Sequence, residues 1–479
     1  MNKQMIRYVL GLVLLIEGAL LLLPLAVALL YQETTWKHFG LTIAVCLILG
    51  GCMIIRKPRR RTLFPKDGFV IAALTWIVIS LVGALPFSLS GQIPRYIDAL
   101  FEVISGFTTT GSSILPRVEA LDKGMLFWRS FSHWIGGMGI LVFMLALLPA
   151  MGGATIHILR AESPGPNVAK VVQKIRESAK ITYLIYLALT LLLVILYLAG
   201  GMPLFDSLCI AFGTAGTGGF AVRTSSCAEY TPYIQTVTTI FMALFGVNFT
   251  VYFLLLQRKF RQALHSSELW TYVGIILTAT LAISVNIYRS MPSFGQAVHH
   301  AAFTVSSIIT TTGYGTLDFN LWPEFSRVIL CFLMIVGACA GSTGGGFKVS
   351  RIVILCKYAK NELERLIHPR TVKVVKVDGK QVSKETVHGV LVYTLFYILI
   401  AMASMLLVSL DNFDASTTIS SVLATLNNIG PGLGAVGPAA SFAGLSDLSK
   451  AVLCLDMLAG RLEIFPLLVL LLPSTWAKK

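Results

Sequence analysis

Charge is scarce in this chain. Only 13% of its 479 residues are Asp, Glu, Lys or Arg, against 55% that are hydrophobic, a balance that excludes an ordinary soluble globular protein. No interval between the apolar runs is long and polar enough to hold a soluble domain of usual size. Cysteine offers no chemistry either: the eight cysteines, at 46, 52, 209, 227, 331, 339, 356 and 454, form no C-x-x-C pair and have no nearby His to complete a zinc set. They read as small core residues. A membrane-bound enzyme would need carboxylates or histidines concentrated at a membrane face, and the external loops hold no such set, so the chain is read as no enzyme.

What is present is apolar length. Runs able to cross a bilayer recur along the whole chain, beginning with residues 5–31 and 39–55. The first is a span and not a cleaved signal, because it is long and no small-residue cleavage site precedes the next apolar run. The net charge of +15 sits beside span ends, in Arg56-Lys57-Pro58-Arg59-Arg60-Arg61, Arg258-Lys259-Phe260-Arg261 and the basic stretch 357–384. With the N-terminus in the cytoplasm and one crossing per span, most of the 38 Lys and Arg, Lys348 included, fall on the cytoplasmic side, as does the C-terminus. That distribution follows the positive-inside rule, and no nucleic-acid partner is expected.

Internal repetition decides the architecture. Four segments share one plan: a long apolar span, a half-length apolar segment, a Gly-rich polar turn and a second long span. The turns are Thr108-Thr-Thr-Gly-Ser-Ser113, Ala215-Gly-Thr-Gly-Gly-Phe220, Thr310-Thr-Thr-Gly-Tyr-Gly315 and Asn427-Asn-Ile-Gly-Pro-Gly432, and stacking them aligns Gly111, Gly218, Gly313 and Gly430. The expected fold is an all-α polytopic membrane protein. Its parts are two N-terminal spans (1–66), then four non-identical repeats around a pore at 67–178, 179–266, 267–384 and 385–479. The short segments cannot cross a core of about 30 Å, so they enter and turn back. Non-helical backbone at membrane depth is tolerated only when buried in protein or lining a watery cavity, and four such turns imply one shared cavity. A single turn of this kind would read as an external loop.

Glycine allows φ above zero, so successive carbonyls can face an axis, and rings of carbonyl dipoles can replace the hydration shell of a potassium ion. The expected filter residues are Thr109, Thr110, Gly111, Thr217, Gly218, Thr311, Thr312, Gly313, Asn428, Ile429 and Gly430, the hydroxyls adding acceptors or fixing the turns. Pro431 removes a donor and fixes φ, which predicts a differently shaped fourth quarter. Two interruptions follow. Gly341, Ser342, Thr343, Gly344, Gly345 and Gly346, with Lys348 just beyond, should break the second span of the third repeat and form a movable loop under the filter. A Gly-rich helix-packing face is the plainer alternative, and a phosphate-binding loop is excluded because Phe-Lys-Val-Ser follows where Lys-Ser or Lys-Thr is required. Arg461, in Gly460-Arg-Leu-Glu463 of the last span, is costly at that depth and reads as a gate or electrostatic barrier, unless Asp456 or Glu463 neutralises it for packing alone. Glu17, His133, His299 and His300 read as packing or satisfied polar residues, and the Asn248-Phe-Thr250 glycosylation triplet as accidental inside an apolar run.

Asp98-Ala-Leu-Phe-Glu-Val-Ile-Ser-Gly-Phe-Thr-Thr-Thr-Gly111, Trp134-Ile-Gly-Gly-Met-Gly139, Gly341-Ser-Thr-Gly-Gly-Gly-Phe-Lys348 and Ala459-Gly-Arg-Leu-Glu-Ile-Phe465 resemble segments of the TrkH/TrkG/KtrB superfamily of potassium transporters, over essentially the whole chain. The two extra N-terminal spans resemble its TrkH branch. The resemblance implies that Gly111, Gly218, Gly313 and Gly430 are filter glycines, Gly341 to Gly346 a gating loop, and Arg461 and Lys348 its charged companions. It also implies a homodimer in the lipid of a bacterial inner membrane, each protomer with its own pore. The dimer would dock on a cytosolic, nucleotide-binding RCK-type (TrkA-like) regulator. This chain has no dinucleotide-binding G-x-G-x-x-G fold and no organic cofactor; potassium is its cargo. The function implied is channel-like potassium uptake, and the alternative is a proton- or sodium-coupled symporter with alternating access.

Overall fold

The computed structural model describes residues 1–58, 64–139, 175–369 and 373–476. Arg59 to Arg61, and the end of the first repeat expected near Met151, lie outside them. Among the described residues six helices are long and apolar enough to cross a membrane: Lys3–Leu30, Trp36–Ile54, Lys66–Leu89, Lys180–Ala199, Ser267–Ser290 and Lys384–Asp411. The first two pack on each other through glycine. A Cβ on Gly50 would lie 2.9 Å from the Gly11 carbonyl oxygen, an approach that only small residues permit.

Each of the other four opens a unit. A short helix follows in every case: Tyr96–Phe107 (12 residues), Leu204–Gly216 (13), Phe294–Ile309 (16) and Ala415–Leu426 (12). At 1.5 Å per residue the 12-residue helices are about 18 Å long, well short of a bilayer core. Their starts are set locally. Ser293 accepts from the Gln296 amide and Asp414 from the Thr417 amide as N-caps. Asp98 and Asp206 place negative charge in the first turn of the other two. Lys450, itself buried, reaches Asp98 at 2.7 Å and ties the fourth unit to the first.

The second span of the first unit is described over Lys123–Gly137, and in the other three units the second span is interrupted. In the second, Pro232–Phe245 and Phe249–Leu256 meet at 89°. In the third, Glu324–Val336 and Val349–Ile367 flank the loop 337–348, and in the fourth Asp447–Arg461 and Phe465–Leu471 are separated by Leu462, Glu463 and Ile464, the last two at positive φ (55° and 66°). The last two breaks match the expectation. The break in the second unit was missed, and its signal lay in Gly246-Val247-Asn248: Asn248, dismissed as an accidental triplet, is the N-cap of the helix after the bend and accepts from the Thr250 amide at 2.8 Å. At the end of the third unit, a hairpin pairs Lys376–Val377 with Lys380–Gln381 through Asp378 and Gly379, both at positive φ, as a two-residue Asp-Gly turn requires.

Gly136 of the first unit lies against the Phe107 carbonyl, where an added Cβ would collide with backbone. Gly136→Ala should destabilise the detergent-solubilised protein by about 1–3 kcal/mol in thermal unfolding. Gly51→Ala, with nothing within 4 Å of the new Cβ, should be neutral or stabilising by about 0.5–1 kcal/mol.

Candidate functional site

The four short helices end in the same way. After each last turn one residue adopts the left-handed conformation: Thr109 (φ 55°), Thr217 (53°), Thr311 (59°) and Asn428 (56°). The next amide donates back to the carbonyl five residues earlier, Thr110 to Ser105 at 2.9 Å, and Gly218 to Gly213, Thr312 to Ser307 and Ile429 to Ala424 at 2.8 Å. The left-handed residue donates to Gly106, Thr214, Ile308 and Thr425 respectively, each at 3.1 Å. This is a Schellman closure made four times without glycine at the left-handed position, where a Cβ costs about 1–2 kcal/mol. The negative ends of four helix dipoles are thereby brought to one place.

Two residues after each left-handed position comes a glycine at positive φ: Gly111 (83°), Gly219 (81°), Gly313 (85°) and Gly430 (104°). The expected stacking of Gly218 with the other three is therefore off by one. Gly219 is the structural counterpart, and Gly218 occupies the place of Thr110, Thr312 and Ile429. Two adjacent glycines made the register ambiguous in sequence, and the Schellman bond of Gly218 fixes it. The fourth turn also departs less than Pro431 suggested. The amide that proline removes is none of those making the closure, so the turn is the same with Gly430 opened by about 20°.

These glycines close a ring. A Cβ on Gly111 would strike the Gly218 carbonyl oxygen, one on Gly219 that of Thr312, one on Gly313 that of Ile429, and one on Gly430 would lie 2.9 Å from that of Thr110. Each turn thus presses its glycine on the carbonyl just before the next turn's glycine, in cyclic order. Side chains reinforce the joints. Ser112 donates to the Gly430 carbonyl at 2.9 Å, Asn428 to Thr110 Oγ1 at 2.9 Å, and Tyr314 OH lies 3.2 Å from the Phe220 carbonyl. His133, fully buried, bonds the Gly106 carbonyl through Nδ1 at 2.7 Å and accepts the Phe220 amide at Nε2, which fits a neutral ring protonated on Nδ1. Beside it lies a buried ion pair: Arg129 reaches Glu102 through Nε at 2.6 Å, donates to the Ala221 carbonyl through Nη1 and covers the Phe220 ring at 3.5 Å. Glu102 in turn accepts from Ser113 and the Ile114 amide. Sequence reasoning passed over both members, because neither lies in a turn.

One face of the ring opens on a cavity of about 260 Å³ lined by Gly111, Gly219, Gly313 and Gly430. The other is covered by residues 341–346. The Gly345 amide donates to Thr311 Oγ1 at 2.6 Å, and a Cβ on Gly344 would lie 2.9 Å from the Thr310 carbonyl. The loop is thus packed under the turns and is not a helix-packing face. Buried Lys348 bends back to the Gly344 carbonyl. Arg461 bonds Thr109 Oγ1 at 3.3 Å, the Thr343 carbonyl at 3.0 Å and the carbonyls of Gly136 and Gly137. Of the two nearby carboxylates, Glu463 pairs with Arg351 at 2.5 Å and Asp456 accepts from Ser404. Among the described residues no group of three or more His, Cys, Asp or Glu could hold a metal. The string Gly432-Leu-Gly-Ala-Val-Gly437 does read G-x-G-x-x-G, but it forms a 3-10 turn at Gly434–Val436 with no strand before it, so it makes no nucleotide fold.

Residues 36–477 match the TrkH family, described as cation transport protein. The chain belongs to that family. Among curated TrkH relatives, the Trk system potassium uptake protein TrkH of Salmonella typhimurium is 37% identical, over 99% of this chain and 100% of the relative, and TrkG of Escherichia coli is 31% identical over 99% of each. The crystal structure of the potassium transporter TrkH from Vibrio parahaemolyticus superposes with a TM-score of 0.90 at 35% identity, covering 100% of both chains. As a TrkH family member this chain is a transporter and not an enzyme.

The chain buries Arg129 and Glu102 together, so removing one strands the other. Arg129→Met should destabilise by about 3–5 kcal/mol, read by thermal unfolding in detergent, and adding Glu102→Gln should recover part of that loss.

Proposed function

We propose that this protein takes up potassium through a channel-like pore whose filter is the ring of four turns. The carrying observation is the cyclic closure, in which four carbonyls, at Thr110, Gly218, Thr312 and Ile429, meet four positive-φ glycines around one centre. Carbonyl dipoles so arranged can substitute for water around a bare potassium ion, and the converging negative helix ends favour a cation there. The Trk relatives are named as potassium uptake proteins, in keeping with this cargo. The inward electrical gradient supplies about 2.3 kcal/mol per charge at 100 mV. The loop 341–346 and Arg461 act as the gate: the loop covers the ring, and the guanidinium, bonded to Thr109 and the Thr343 carbonyl, is a fixed positive charge on the cation's path. The family resemblance supplies the setting, a homodimer in a bacterial inner membrane with both termini cytoplasmic, regulated by a cytosolic nucleotide-binding RCK-type subunit.

Growth of a potassium-uptake-deficient bacterium at low potassium, with rubidium uptake at matched membrane expression, tests the reading. Wild type should rescue. Gly313→Asp, which drives a side chain into the Ile429 carbonyl, should not, and Arg461→Ala should raise uptake. An inserted Gly313→Asp that transports as wild type overturns the filter.

One observation favours the coupled alternative: Asp456 is buried, with one oxygen on Ser404 and the other without a hydrogen-bond partner. A proton-coupled carrier would use such a group. Reversal potentials that shift with the proton gradient in proteoliposomes, and cease to in Asp456→Asn, would support that reading; potentials set by potassium alone exclude it.

A further inference from the structure

The loop 337–348 hangs between two helices whose ends must be fixed for it to lie under the ring. Its bonds run within the loop, to the flanking helices, to Thr311 of the third turn, and to the bend of the second unit, where Cys339 donates to the Gly246 carbonyl, Thr343 to the Phe245 carbonyl, and the Phe249 amide to the Gly341 carbonyl. One side chain from elsewhere holds both ends: Glu268 Oε1 accepts the Ala340 amide at 2.6 Å, before the glycine run, and the Ser350 amide at 3.1 Å, after it. Glu268 is itself buried, 9% exposed. A buried carboxylate is retained only where its hydrogen bonds are worth the desolvation, and here the two amide donors come from the loop's two flanks, with the Asn248 side chain beside them.

Its chain neighbour faces the other way. Ser267 donates both its amide and its hydroxyl to Asp378 Oδ1, each at 2.6 Å. Asp378 is the left-handed residue of the hairpin turn and caps a helix N-terminus more than a hundred residues away in sequence. The same hairpin is gripped by the helix leaving the loop, because Lys357 Nζ donates to the Lys376 carbonyl at 2.9 Å and Val375 packs with Ile354. So the hairpin touches the helix that carries Glu268 and the helix that follows the loop, and Glu268 joins both ends of the loop to that pair.

We infer that Glu268 is a positioning residue for the loop, and that the Asp378 turn sets Glu268, so that displacement of the hairpin reaches both loop ends together. This rests on the reading of 341–346 as a gate. It supplies what that reading lacks, a mechanical path from the basic hairpin side of the protein to the ring. Neither residue touches the cation. Their effect is on how far the loop covers the ring, hence on maximal flux and loop exposure and not on the ring's affinity.

The test uses the full chain in membranes, with Ser342→Cys labelled by a thiol reagent and read at that residue by peptide mass spectrometry. Rubidium uptake is measured in parallel. Asp378→Gly keeps the turn and removes the carboxylate. Loss of two hydrogen bonds to a charged acceptor should change the labelling rate about fivefold or more and alter maximal uptake with unchanged half-saturation. Asp378→Asn, which keeps an acceptor oxygen and tolerates the left-handed turn, should stay near wild type. In a Glu268→Ala background the Asp378→Gly effect should vanish. Should Glu268→Ala fail to insert, Glu268→Gln serves in its place, where the effect should shrink because the uncharged acceptor holds the amides less firmly. Unchanged labelling in Asp378→Gly, or an effect of full size in both Glu268 backgrounds, overturns the relay. Arg461→Ala distinguishes the two levels: raised uptake there beside an inert Asp378→Gly refutes the relay alone, and both variants inert refutes the gate as well.

Discussion

Four backbone approaches, glycine against a neighbour's carbonyl, set the centre of this protein, and nearly everything else follows from keeping them. At membrane depth no water satisfies irregular backbone, so the turns survive only if each polar group finds a protein partner or faces the central cavity. The Schellman closures satisfy the helix ends. His133, Tyr314, Ser112 and Asn428 then bind turn to turn, so the ring is held by side chains from three of the four units.

The same constraint explains where charge is allowed. Arg129 and Glu102 are deeply buried but paired and further bonded, with the guanidinium on an aromatic face, which is the form in which a buried ion pair can be sustained. Arg461 bonds the Thr343 and Gly137 carbonyls and the Thr109 hydroxyl, which places the guanidinium beside the ring and the loop. Glu463 holds Arg351, which also bonds the Phe347 carbonyl, and so ties the break in the last span to the exit of the loop.

Asymmetry is built onto this four-fold plan. The first span of each unit is continuous, and in the second to fourth units the second span is interrupted, each time differently in kind: a sharp bend at Gly246 to Asn248, a twelve-residue loop at 337–348, a two-residue positive-φ step at Glu463 and Ile464. The ring is near-symmetric because four identical closures make it. The layer beneath it is not: among the described residues the third unit sends a loop there and the fourth an arginine.

The sequence by itself determined the membrane class, the repeats, the half-length helices, the four turns and the breaks in the third and fourth units. Each of these rests on a local rule: apolar length, glycine at positive φ, or the cost of charge within an apolar run. Tertiary structure decided what local rules cannot reach. Gly218 and Gly219 are equivalent in sequence, and only the bond from Gly218 to Gly213 chose between them. Glu102 with Arg129, Glu268 with the loop ends, and Asp378 with Ser267 are separated by 27 to 111 positions. A buried charge must find a partner, but which partner depends on how the helices pack, and spacing along the chain carries no record of that.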